Sequence, residues 1–120
     1  MKEIKEILSI SEWEDILRGK EGVQSVIFKN SPYCPVSAIA LREFTKFAAN
    51  VQSNRGVKLY LVDVIKSRSI SNRISEDLGI IHQSPQLIWL DEKGNVLDHK
   101  SHTAITFEYL NKLLQKGDKK

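Results

Sequence analysis

Cys34 is the only cysteine of this chain, and it stands in Ser31-Pro32-Tyr33-Cys34-Pro35-Val36-Ser37, after an apolar run and before a helix-like pattern. A cysteine in the first turn of a helix is a thiol-chemistry site. The helix N-terminus carries partial positive charge and unpaired N–H groups, and both stabilise a thiolate. Pro35 suits the first helical position, where its missing N–H costs nothing. Ser37 occupies the place of a second cysteine in a Cys-x-x-Cys redox pair. The segment reads as a one-cysteine version of a two-cysteine redox site.

The elements that must position this thiol follow from pattern. Gln24 to Asn30 is a β-branched and aromatic run, the mark of a buried strand. From Pro35 onward, Ile39, Ala40, Phe44, Phe47, Ala48 and Val51 recur at three- and four-residue spacing, which predicts a helix with one buried face. Val57 to Val64 predicts a central strand, and Ile70, Ile74 and Leu78 a helix capped by Ser69 and stopped by Gly79. Upstream, Ile4 to Ile10 suggests a short strand or lead-in segment. Ser11 and Glu14 form a capping-box pattern for a helix bearing Trp13, Ile16 and Leu17 and stopped by Gly19. Downstream, Ile80 to Pro85 is a loop leading into the strand Leu87-Ile88-Trp89-Leu90. Asp91 to Asn95 is a hairpin turn and Val96 to His99 the returning strand. A last helix spans Ile105 to Leu114, capped by Thr103 or Thr106. Trp13 and Trp89 fall at apolar-face positions and belong to the core. The alternation predicts an α/β domain, residues 1–120, with helices on both faces of its sheet, early strands parallel and a late antiparallel pair. Site residues then collect beyond the carboxyl end of the first central strand.

Composition bounds the function. Eighteen Lys and Arg against fifteen Asp and Glu give a net charge of +3. That excess is small and partly confined to Lys116 to Lys120, which reads as a solvated basic tail. No Lys/Arg stripe with interleaved aromatics argues for nucleic acid, and no apolar run is long enough for a membrane span. The Met1-Lys2-Glu3-Ile4 start has no apolar signal core, and one cysteine forms no internal disulfide, so a reducing, cytoplasmic location is expected. His99 and His102 give no metal spacing with Cys34.

Cys34 opening the second helix, with Ser84-Pro85 preceding the hairpin, resembles the thioredoxin fold over roughly Ile4 to Leu114. That resemblance implies a central mixed sheet of four to five strands and a cis Ser84–Pro85 bond facing the reactive cysteine. Within that fold, Tyr33-Cys34-Pro35-Val36-Ser37 together with His82-Gln83-Ser84-Pro85-Gln86 is similar to the YtxJ-like monothiol bacilliredoxins, which carry a Thr-Cys-Pro-Ile-Ser type motif and a Ser-Pro-Gln loop. Here Tyr33 replaces the Thr and Val36 the Ile.

The activity implied is monothiol thiol–disulfide exchange. Cys34 attacks a client protein carrying a mixed disulfide with a small thiol such as bacillithiol, and a second small thiol regenerates the enzyme. No bound cofactor is implied; the small thiol is a co-substrate and S-thiolated proteins are the partners. A free thiol has a pKa near about 8.5, so the site must favour the thiolate. The means available are the helix start at Pro35, the Ser37 hydroxyl and the cation of Lys29 at the strand end. Tyr33 stands where it would cover a bound small thiol or simply be an exposed turn aromatic. The main chain at Ser84, with Pro85, would offer N–H and C=O groups to an extended substrate. His82 reads as a solvent-facing loop histidine, with tuning of the thiol as its other role.

Two other classes fit the pattern. One is a non-catalytic thioredoxin-fold interaction module. The other is an iron–sulfur carrier like the monothiol glutaredoxins, whose Cys-Gly-Phe-Ser is absent here and whose cluster-bonding N–H Pro35 removes.

Overall fold

The computed structural model describes residues 1–52 and 55–118. Its elements are β1 (Ile4–Glu6), α1 (Ile10–Leu17), β2 (Gln24–Asn30), α2 (Pro35–Asn50), β3 (Val57–Asp63), α3 (Arg68–Leu78), β4 (Gln86–Leu90), β5 (Val96–Ser101), a 3₁₀ turn (His102–Ala104) and α4 (Phe107–Asp118). One five-stranded mixed sheet has the order β1-β3-β2-β4-β5. β3 runs parallel to β1 and β2; β4 runs antiparallel to β2 and β5.

Strand alternation sorts the core into two layers. Val26, Phe28, Leu59, Leu87 and Trp89 face one side, where α2 and α4 bring Ala40, Phe44, Phe47, Ala48 and Leu110. Ile27, Tyr60, Val62, Ile88 and Leu90 face the other, where α1 and α3 bring Trp13, Ile16, Ile70 and Ile74. Phe28 stacks on Phe44 with ring centroids 5.2 Å apart, and Phe47 meets Trp89 edge-on at 6.1 Å. Both indoles are buried and both find acceptors: Trp13 Nε1 donates to Asp77 and Trp89 Nε1 to Gln24, each at 2.8 Å.

Several element boundaries differ from the sequence expectation: β3 ends at Asp63 rather than Val64, β5 runs on to Ser101, and α4 starts at Phe107 rather than Ile105. The cap of α1 is Ser9, not Ser11: its Oγ accepts from Glu12 N–H at 3.1 Å, while Glu12 Oε1 accepts from Leu8 N–H. Two overlapping Ser-x-x-Glu patterns compete here, and the upstream one takes Ile10 into the helix. α3 starts at Arg68, before Ser69, because Asp63 accepts from the N–H groups of Ile65 and Lys66 and turns the chain early. Of the expected tail, Lys116 to Asp118 continue α4; Lys119 and Lys120 lie outside the described residues. Thr106 caps α4 by accepting from Tyr109 N–H at 3.1 Å. Among the described residues no helix is long and apolar enough to cross a membrane.

Candidate functional site

Cys34 is the N-cap of α2, with extended backbone (φ −98°, ψ 123°) and Pro35 in the first helical position. Its N–H donates to Ser31 C=O at 3.1 Å and closes the turn after β2. Its C=O accepts from Ala38 N–H at 3.1 Å and opens the helix. The sulfur therefore occupies the place where a capping serine would accept from the second and third helical N–H groups, those of Val36 and Ser37. The neutral thiol makes no cap hydrogen bond. The donors act on the thiolate. The main-chain N–H of Ser37 contributes most to holding the Cys34 pKa below its ordinary value; desolvation opposes it, and the Val36 N–H and Ser37 hydroxyl add smaller pulls. Ser37 is fully buried, and its Oγ accepts from Ser31 N–H at 3.3 Å, so its own proton is free to point at a thiolate.

Tyr33 is 86% exposed beside the thiol in sequence. The Ser84–Pro85 peptide is cis. Pro85 is buried, and its C=O accepts from His102 N–H at 3.1 Å. The 3₁₀ turn that starts at His102, whose φ is +56°, packs against α2 and so ties the proline segment to the cysteine helix. Among the described residues, neither main-chain group of Ser84 has a hydrogen-bond partner, and its buried Oγ has none either. Composition and spacing gave no sign of the 3₁₀ turn; the Ser101-His102-Thr103 string carries no turn glycine or proline.

Lys29 departs from its expected role. Alternation places it with Ile27 on the α1 and α3 side of the sheet, while Cys34 opens a helix on the Phe28 side. Its ammonium is fully buried and donates to Ser71 C=O at 2.9 Å and Ser75 Oγ at 2.8 Å, with His82 Nδ1 at 3.3 Å. Its direct partners are thus α3 and the loop before Pro85, not the thiol. Desolvation lowers its pKa to about 8. His82 is exposed as a residue but turns Nδ1 inward, toward Lys29 and Ser71 Oγ at 3.4 Å. Burial lowers its pKa, and the charges of Lys29 and Arg68 lower it further. His99 of β5 pairs with Ile88 of β4 and lines a cleft with Ile80, Ile81, Gln83 and Gln86.

Solved structures share this architecture. The chain superposes on a protein with a thioredoxin fold, whose oxidoreductase role is itself only proposed, with a TM-score of 0.78, 26% identity and 91% of each chain covered. Thioredoxin from Trypanosoma brucei brucei gives a TM-score of 0.76 at 19% identity, covering 98% of this chain and 93% of that one. Thioredoxin from Malassezia sympodialis gives 0.74 at 17% identity, covering 97% and 91%. The fold is that of thioredoxin. The family model of the monothiol bacilliredoxin BrxC matches residues 5–110, nearly the whole chain; with the fold this supports a thiol redox function, and the protein belongs to that family.

Proposed function

We propose that this protein is a monothiol thiol–disulfide oxidoreductase that strips a low-molecular-weight thiol, bacillithiol or one like it, from S-thiolated client proteins. The observation that carries the reading is a helix-capping cysteine with depressed pKa and a buried serine where a second sulfur would stand. The Cys34 thiolate attacks the sulfur of the small thiol in the mixed disulfide. A new disulfide forms between Cys34 and the small thiol, and the client leaves as a thiolate that takes a proton from solvent. A second small-thiol thiolate then attacks the adduct, releasing the Cys34 thiolate and a symmetrical small-thiol disulfide. No electron acceptor beyond these disulfides is needed.

Pro35 pre-sets the helix start, Ser37 supplies donors to the thiolate, and Lys29 helps through its neighbours rather than by contact with sulfur. The unpartnered N–H and C=O of Ser84 beside Pro85 suit an extended client segment. Tyr33, Ile65 and Ile81 are exposed at the same end of the sheet and suit an apolar stretch of client or the body of the small thiol. A cytoplasmic location fits a reaction that consumes reduced small thiol.

Intact mass after a single turnover with no added thiol tests the reading. Wild-type protein should accumulate the small-thiol adduct on Cys34 and clear it only when free thiol is supplied. Cys34→Ser should leave the client thiolated. Recovery of unmodified protein beside reduced client would defeat the monothiol route, and an unreacted client would favour an inert interaction module.

A further inference from the structure

We propose that Lys29 is a positioning residue: through His82 it holds the segment Ile81–Ser84 in place ahead of Pro85, and acidification releases that hold. The client-docking consequence rests on the function proposed above; the latch itself does not.

A buried ammonium is costly unless each of its three protons is bonded. Lys29 meets that demand with Ser71 C=O, Ser75 Oγ and His82 Nδ1, and it is the one fully buried Lys among the described residues. Since an ammonium only donates, His82 Nδ1 must be the unprotonated acceptor of a neutral ring. A second tie lies next to the first. Gln86 is the register partner of Lys29 across β2 and β4, and its Nε2 donates to Ile81 C=O at 3.1 Å. Two buried side chains at one rung of the sheet thus grip two successive loop residues, Ile81 and His82. Two residues further on stands Ser84, whose main chain is unpartnered. The loop makes few other attachments: Ile80 N–H donates to Ser75 C=O, and the N–H groups of Ile81 to Ser84 have no partner among the described residues. Ile81 is 82% exposed, so apolar packing does not fix the segment.

The same geometry makes the tie sensitive to acid. The charged groups facing His82 are Lys29 from β2 and Arg68 from α3, both cations; Ser71 and Ser75 from α3 are neutral. A proton on Nδ1 would remove the only acceptor the loop offers Lys29 and set imidazolium against ammonium. The segment would then be held by Gln86 alone.

Backbone order parameters of the Ile81 to Ser84 amides, measured on full-length protein, test this without any enzyme assay. At about pH 7.5 wild type should show values near about 0.85, falling toward about 0.6 near pH 5. His82→Ala should show the low values at both pH values. His82→Asn places an amide oxygen near the site of Nδ1 that no proton can block, and should restore high values at both. Cys34 alkylation midpoints should match wild type in both variants. With an S-thiolated client, His82→Ala should raise KM about fivefold, the net worth of one lost hydrogen bond, with kcat within about twofold. Order parameters that ignore both substitution and pH would overturn the latch, as would a His82→Asn variant that still loosens in acid. A wild-type protein that never dethiolates its client would defeat the functional reading alone, because the latch is judged on order parameters.

Discussion

At Cys34, the pull on the thiolate comes mainly from main-chain N–H groups, and this decides what mutation can do. Alkylation rate against pH should give a midpoint below the roughly 8.5 of a free cysteine. Ser37→Ala keeps the Ser37 N–H, the largest influence, and loses only the hydroxyl, the smallest. The midpoint should therefore rise by well under about one unit, the scale of a single exposed donor. A rise beyond one unit would make the hydroxyl, not the helix start, the main stabiliser. Ser37→Cys places a thiol at a fully buried position one turn beyond Cys34, and should lower the level of trapped adduct after one turnover. An adduct level equal to wild type would show that the two sulfurs do not meet. The placement of Cys34, Ser37 and Ser84-Pro85 was legible in the sequence because each rests on local chemistry: a strand end, a helix start, a proline before a strand. Lys29 was not. Its role depends on which face of β2 it joins, and a shift of one residue reverses that assignment. The available signal was a lysine inside an otherwise apolar strand, and its meaning lay in Ser71, Ser75 and His82, which sequence distance conceals.

At the scale of elements, the β4–β5 hairpin is seated on the end of α1 by two close backbone approaches. Gly94, at φ +85°, lies against Leu17 C=O, and Gly19, at φ +69°, against Glu92 C=O. Asp91 braces the turn by accepting from the N–H groups of Lys93 and Asn95 at 2.9 Å. Gly22 also has a positive φ, +67°, but a Cβ there would meet nothing within 4 Å. The two glycines therefore separate conformational cost from packing cost. Gly22→Ala should lose roughly 1–2 kcal/mol, the left-handed penalty alone. Gly94→Ala must also push the hairpin off α1, and should lose about 2 kcal/mol more in urea denaturation. Equal losses would mean that the hairpin is not seated by this contact. The elements themselves were readable because their apolar periods are strong: β2 was anticipated at its observed bounds, and α2 from its first residue. Helix starts are less legible. Near α1 two Ser-x-x-Glu patterns overlap, and before α3 an aspartate at the end of β3 sets the turn; the choice between nearby caps is made by packing, which the local pattern does not contain.

At the scale of the whole molecule, the two-layer core tolerates one buried charge among the described residues, that of Lys29, and it should be visible in the pH dependence of stability. Lys29 titrates near about 8 in the folded protein and near about 10.4 in an unfolded chain. Between those values the unfolded chain keeps the proton that the folded chain has released, so stability rises with pH. Below about pH 8 the cost of burying the ammonium is present in full. Three other groups bound the window. Cys34, with its lowered pKa, adds a rise of the same sign up to the free-thiol range, so the measurement belongs in a Cys34→Ser background. Tyr60 and Tyr109 have raised pKa values, chiefly through burial, with Glu21 and Glu12 near Tyr60 and a hydrogen bond to Asp98 at Tyr109. Their unfolded forms are half ionised at about pH 10 and lower stability from about pH 9 upward. The clear interval is therefore about pH 8 to 9. One proton difference gives a slope of at most about 1.4 kcal/mol per pH unit, so Cys34→Ser should gain about 1 kcal/mol across it. Adding Lys29→Met fills the same space without a charge and should flatten that rise, leaving a more level curve in urea titrations at successive pH values. Parallel curves for the two proteins would mean that Lys29 is solvated enough to keep its ordinary pKa, and that its three hydrogen bonds hold an amine no costlier than a surface lysine.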